Sequence, residues 1–332
     1  MTFMQRFMTS AARLGRQSAK PALGAALGAG LALALASAPG QTWAQTADAA
    51  SVAAAAPRAV PLAEGQGPAL WVVRDADSTL YLFGTVHVLR PTTAWGSPRV
   101  DAAFDSASEI WLEISNPDDV ASIMPLIQQH GISPDRPLSS LLTAEQFADL
   151  DAAAQTIGLS GAQMEPMRPW LAALQLSMAP LVKAGYDPQS GVELILKARA
   201  EAAGKPLHGL ETIDRQISIL AGLEEVDQLA FLTETLGMFD NAATELDQLV
   251  NAWATGDVDS INRLGVDEMK AVSPAVYEAL LVRRNTDWAD QIQTMLEGSG
   301  TVFIAVGAAH LAGDDSVQQI LTQRGVTVTT AP

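Results

Sequence analysis

The chain has 332 residues, 48% of them apolar, and carries 20 Lys and Arg against 37 Asp and Glu, a net charge of −17. So acidic a surface repels nucleic acid and anionic lipid, which excludes both as expected partners. The sequence has no cysteine, so its fold must rest on an apolar core rather than on disulfides.

Residues 1–44 follow the grammar of a secretory signal. Arg6, Arg13, Arg16 and Lys20 make a basic start without an acid, and Leu23 to Leu35 is an Ala, Leu and Gly run. That run is too short to span a bilayer comfortably. Thr42–Trp43–Ala44 then offers small residues to a signal peptidase. Cleavage after Ala44 removes four of the 20 basic residues, leaving 16 against 37 acids and a net charge of −21. The mature chain is thus expected to be periplasmic or secreted, with no stable membrane span. The competing reading is an uncleaved anchor. Residues 45–66, rich in Ala, Thr and Pro and without periodicity, read as a disordered linker. Residues 67–332 are expected to form the folded domain.

Folding should begin with a strand over Ala69–Val73, a turn over Arg74–Ser78 and a second strand, Leu80–Phe83. The four apolar or aromatic residues of that second strand read as buried, Gly84 ends them, and His87 follows three positions later. A loop with Pro91, Trp95 and Gly96 leads to a short helix, Pro98 to Ser106, and then to an apolar strand, Glu109 to Ile114. This β–loop–helix–β passage predicts parallel strands. Glu113 stands between Leu112 and Ile114, where an unpaired carboxylate would be costly. It is either an acid on the solvent face or a metal ligand or general base at the C-terminal sheet edge, where open α/β sheets bind ligands.

From Pro117 to Gly204 the pattern is helical. Thr143 with Gln146 is a capping box, Pro169 starts a helix, and Ser190 with Glu193 is a second capping box, which makes Glu193 a cap. His130, in a polar loop, reads as a surface residue. The short strand Lys205–Leu210 then ends in Glu211, either an acid in a first helical turn or a partner of Glu113. His208, in the middle of that strand, reads as a packed or edge histidine. A further helical block runs from Thr212 to about Gly298, with Ser273–Pro274 as a cap. Within it, Arg283–Arg284–Asn285–Thr286–Asp287 reads either as a solvated helix end or as an anion clamp for a substrate carboxylate or phosphate. The chain closes with the strand Val302–Val306, the turn Gly307–His310, a helix from about Ser316 to Gln323 and a strand over Val326–Thr330. A strand–Gly-x-x-His turn therefore occurs twice. The expected fold is α/β (α+β): a central mixed sheet built from the two strand–Gly-x-x-His units, with large helical blocks between them.

Two histidines and one or two carboxylates at strand ends compose a first-row metal site. A metal held by few protein ligands keeps a water and lowers its pKa. The sequence lacks a His-Glu-x-x-His helix, a Gly-x-Ser-x-Gly elbow, a phosphate-binding glycine loop and a cysteine nucleophile.

Tyr81–His87, Leu112–Glu113, Arg168–Trp170, Gly209–Thr212, Arg284–Trp288 and Val306–Gly313 together resemble the TraB/GumN family, to which the TIKI metalloproteases belong. The resemblance spans roughly residues 67–330. It implies a fold like that of the erythromycin esterase and ChaN group and, for the TIKI branch, divalent-metal-dependent peptidase chemistry. Carried over, it makes His87, Glu113, Glu211 and His310 the catalytic candidates, with His87, Glu113 and His310 holding a Zn, Mn or Co ion. Gly84 and Gly307 are then the motif glycines, and Arg284 and Asn285 the substrate-binding residues. The expected function is an exported metal-dependent hydrolase acting on a peptide or small molecule. The alternative is a non-catalytic periplasmic protein that holds a metal, haem or peptide on the same fold.

Overall fold

The computed structural model describes residues 59–331. The signal and most of the linker expected from the sequence lie outside those residues. The linker's described end, 59–66, lies beside the loop before the first helix. Ala63 N–H donates to the Gly96 carbonyl at 2.9 Å, Gly96 N–H donates to the Pro61 carbonyl at 2.8 Å, and Ser97 Oγ donates to the Gln66 carbonyl at 3.0 Å.

Six strands form one mixed sheet: β1 (Leu70–Arg74), β2 (Ser78–Thr85), β3 (Glu109–Leu112), β4 (Leu207–Gly209), β5 (Gly300–Gly307) and β6 (Val328–Thr330). Their order is β4-β3-β5-β2-β1-β6. The β1–β2 hairpin is antiparallel, β5 lies parallel to both β2 and β3, and β3 is parallel to β4. Alternation along the central strands fills both faces, which is why they read as unbroken apolar runs. Leu80, Leu82, Val302, Ile304 and Val306 point to one core, and Phe83, Phe303 and Ala305 to the other. On the second side the Phe303 ring meets Phe83 at a tilt and Phe104 edge-on, at centroid separations of 5.7 and 5.5 Å.

The larger core lies under α1 (Pro98–Ser106), α2 (Val120–His130), α3 (Ala144–Gln155), α4 (Pro169–Lys183), α5 (Val192–Ala202), α6 (Ile213–Ala221), α7 (Glu225–Met238) and α8 (Ala242–Ala254). Two long helices follow, each interrupted by a π-turn. In α9, Val258–Ile261 passes through Asn262–Val266 into Asp267–Val272; in α10, Pro274–Tyr277 passes through Glu278–Val282 into Arg283–Leu296. The end of α10, with Trp288, Ala289 and Ile292, and α11 (Val317–Gln323) cover the other face. Among the described residues no helix is long and apolar enough to cross a membrane.

Candidate functional site

The parallel strands β2, β5, β3 and β4 all end at one edge of the sheet, and the chemistry-bearing residues follow those ends. In the β2–β5 register Gly84 faces Val306 and Thr85 faces Gly307, so the two Gly-x-x-His turns leave the sheet side by side. The approach at Gly84 is close: a Cβ on it would meet Ala308 Cα at 3.1 Å. Pairing between β3 and β4 continues past the strands, with Leu210 N–H on the Leu112 carbonyl and Glu211 N–H on the Glu113 carbonyl, both 2.9 Å. Glu113 and Glu211 are thereby held next to each other.

Arg284 sits between them. Its Nη2 donates to Glu113 Oε2 at 2.6 Å and also to Glu211 Oε1, while Nε reaches the Glu211 oxygens at 3.0 and 3.3 Å. Nη1 donates to the Leu280 carbonyl and to His310 Nε2, each at 3.1 Å. Gln216 Nε2 bridges the acids, 3.0 Å from Glu113 and 2.8 Å from Glu211, and the Gly307 N–H donates to Glu113 Oε1 at 2.7 Å. The Trp288 ring forms the floor, 4.6 Å from the guanidinium carbon and 4.4 Å from the His310 ring. Burial works against the Glu113 charge, but Arg284, the nearby His310 and His87, and the Gly307 N–H together more than offset it and pull the pKa down to about 2. For Glu211 burial wins, and its pKa is raised despite Arg284.

The tautomer of His310 follows from its neighbours. Asn285 Nδ2 donates to the Asp315 carbonyl at 2.7 Å, so its Oδ1 is the acceptor that meets His310 Nδ1 at 2.5 Å. Nδ1 therefore carries hydrogen, and Nε2 accepts from an arginine that can only donate. His310 is fully buried.

His87 has a different partner. Its Nδ1 lies 2.7 Å from Glu193 Oε1, and the Thr85 hydroxyl donates to the same carboxylate. Its buried Nε2 has no hydrogen-bond partner among the described residues. Burial by itself lowers the His87 pKa; Glu193, with Glu113 behind it, overrides this and raises it to about 9. Helix α5 delivers Glu193 because Val192 N–H bonds the Val86 carbonyl at 3.0 Å and Gly191 packs on the backbone of His87. A Cβ on Gly191 would lie 2.3 Å from the His87 carbonyl oxygen. His87, Glu113 and Glu193 line one pocket with Leu112, Asp118 and Gln189.

The sheet edge thus gathers His87, Glu113, Glu211 and His310, and it adds Glu193 and Gln216. The sequence reading takes Glu193 as a cap; instead Gly191 precedes the helix, no side chain caps it, and Glu193 turns to His87. Ser190–x–x–Glu193 is a local pattern overridden by a contact with a residue far away in the chain. Gln216 carries no local signal. Arg284 and Asn285, expected to meet substrate, are buried and bonded to the site's own acids and histidine. Of the two readings of Arg283–Asp287, the helix end is not found, because the stretch is the interior of α10. His208 lies on the edge strand β4, its ring 4.8 Å from that of Trp111, and is apart from this cluster.

His87 Nε2, a buried ring nitrogen held from behind by a carboxylate, has the orientation of a metal ligand. The full set of His87, Glu113 and His310 does not fit a metal in this arrangement, because the His310 Nε2 lone pair is on Arg284. Among the described residues no three His, Asp or Glu side chains are placed to hold an ion.

The protein YbaP of Escherichia coli (strain K12), described as uncharacterized, is 24% identical over 256 residues, 76% of this chain and 92% of that protein. YbaP of Shigella flexneri matches to the same extent. An uncharacterized protein of Treponema pallidum (strain Nichols) is 21% identical over 267 residues, 76% of this chain and 80% of that protein. No solved structure matches the chain. The sequence pattern of the TraB/PrgY/gumN family covers residues 69–330, all six strands included, and the chain belongs to that family.

Proposed function

We propose that the protein is an exported hydrolase acting on a peptide or small molecule in the pocket of His87, Glu113 and Glu193. The observation that carries this reading is the His87–Glu193 pair: one ring nitrogen fixed at 2.7 Å by a carboxylate, the other buried and without a hydrogen-bond partner among the described residues. That is the geometry of a proton-transfer histidine. With its pKa raised to about 9, His87 is an imidazolium near neutral pH and acts first as an acid. It donates the Nε2 proton to the leaving nitrogen or oxygen, and the proton released by the attacking water restores it. Glu113, held near 2, is a poor base; its role is to orient water or a substrate N–H and to stabilise the imidazolium.

A second reading rests on the same ring, since metal-ligating histidines are held by a carboxylate in this way. A Zn, Mn or Co ion there would be held by His87 and Glu113, without His310, and would supply a water of lowered pKa.

The test is cleavage of a peptide mixture followed by mass spectrometry, with chelator and with each metal, for wild type, His87→Ala and Glu193→Gln. Cleavage by wild type should be lost in His87→Ala and fall about 100-fold or more in Glu193→Gln. If the acid role is correct, cleavage survives chelator and declines as pH rises through about 9. A metal role needs neutral imidazole, so activity would instead rise towards that pH and vanish with chelator. Equal cleavage by wild type and His87→Ala would remove the hydrolase reading.

A further inference from the structure

The Glu113–Glu211–His310 cluster has the composition of a metal site: two carboxylates and an imidazole nitrogen, donors suited to Mn²⁺, Co²⁺ or Zn²⁺. All three are aimed at one group, and that group is a side chain of the protein itself. Each of the five N–H groups of Arg284 has an acceptor: Nε on Glu211, Nη1 on Leu280 and His310, Nη2 on Glu113 and Glu211. The arginine is 3% exposed and cannot lose its charge. Gln216 and the Gly307 N–H add further donors to the two carboxylates.

We infer that Arg284 takes the place of a metal ion at the Glu113–Glu211–His310 centre, and that this centre binds a divalent cation only when the guanidinium is removed. The inference concerns His310 and Glu211 and stands whether or not the pocket of His87 is hydrolytic. A metal there would need ligand bonds of about 2.0–2.2 Å, drawn to the position the guanidinium occupies. The arginine and the ion exclude each other by volume and by charge. Arg284 also borders an open cleft with Arg215, Ser218, Asp227 and Arg283, which would give an ion a route from solvent once the side chain is shortened.

The experiment uses Co²⁺ as probe on chelator-stripped full-length protein, read by bound metal per chain and by visible ligand-field absorption. Wild type should show no Co²⁺ uptake that depends on His310 or Glu211. Arg284→Met should take up one Co²⁺ per chain, with visible bands and a raised melting temperature, and a further His310→Ala change should abolish both. Uptake by wild type that is unaffected by His310→Ala and Glu211→Gln belongs to another site and leaves the inference standing. Uptake by wild type that is lost in either variant overturns it, because the guanidinium would then yield to the ion. Arg284→Met is prepared both with and without Co²⁺. A variant that folds but takes up no metal, or that stays unfolded even with Co²⁺ present, refutes the latent site.

Discussion

Replacing Arg284 by Met, with chelator present, tests how the site is held together. Methionine keeps most of the side chain's length and removes its charge, leaving two buried carboxylates that share Gln216 Nε2 at 3.0 and 2.8 Å. Breaking a buried ion pair by deleting one partner typically costs about 3–5 kcal/mol, because a charge is left uncompensated. Against a domain stability of roughly 5–15 kcal/mol this leaves a folded but weakened protein. The pH dependence gives the sharper signature. In the wild type, Glu113 sits near 2 in the folded state, below its usual value of 4.5, so it stabilises above 4.5 and that stability is lost as pH falls through about 2. Without Arg284, burial and the Glu211 charge push Glu113 upwards instead. The folded state then holds a proton that the unfolded state releases, and stability falls as pH rises above about 4.5. Urea unfolding followed by tryptophan fluorescence at pH 5 and pH 8 should therefore show the larger loss at pH 8. A loss below about 1 kcal/mol, or the same loss at both pH values, would refute the claim that Arg284 neutralises the acids.

Three further outcomes are expected. His87 is raised from 6.5 to about 9 on folding, so it contributes stability that is complete below 6.5 and is lost as pH rises through about 9. Its size is about 3 kcal/mol, and unfolding of Glu193→Gln should lack this alkaline decline. Gly84→Ala would bring a Cβ to 3.1 Å from the Ala308 backbone and push the two Gly-x-x-His turns apart. We expect a loss of about 1–3 kcal/mol in urea unfolding; an unchanged midpoint would mean that the turns tolerate separation. Mass spectrometry of periplasmic protein should give an N-terminus at Gln45 or within a few residues, whereas recovery of the intact chain in the membrane fraction would count against export.

What could be read from the sequence was local or repeated. The runs Leu80–Phe83 and Val302–Val306 announce buried strands because alternate residues feed two cores, and a glycine followed by histidine at each end marks the same sheet edge twice. Thr143 and Gln146 form the reciprocal cap that their spacing predicts, at 2.9 and 3.2 Å. Ser190 and Glu193 have equivalent spacing and do not, because Gly191 lets the helix start close against the His87 backbone, and the carboxylate finds an imidazole there. The pairing of Arg284 with the two acids was beyond reach for a related reason. Asn285, Thr286 and Asp287 carry the composition of a helix end, while the buried acids that make an arginine tolerable in a helix interior come from β3 and β4.

The π-turn Glu278–Val282 has a consequence for how such a site changes over generations. Its backbone closes across five residues, Arg283 N–H onto the Glu278 carbonyl, so α10 holds one residue more there than a regular helix would. One residue corresponds to about 100° of helix rotation. Deleting a single residue between Glu278 and Val282 would restore a regular helix without altering any side chain of the charged cluster. It would also swing Arg284 and Asn285 together off the sheet edge relative to the start of the helix, or drag that start around instead. The identity of the residues and their phase are therefore encoded separately, and the phase is inherited as a length. The loss or gain of one codon would rewrite that second code in a single step.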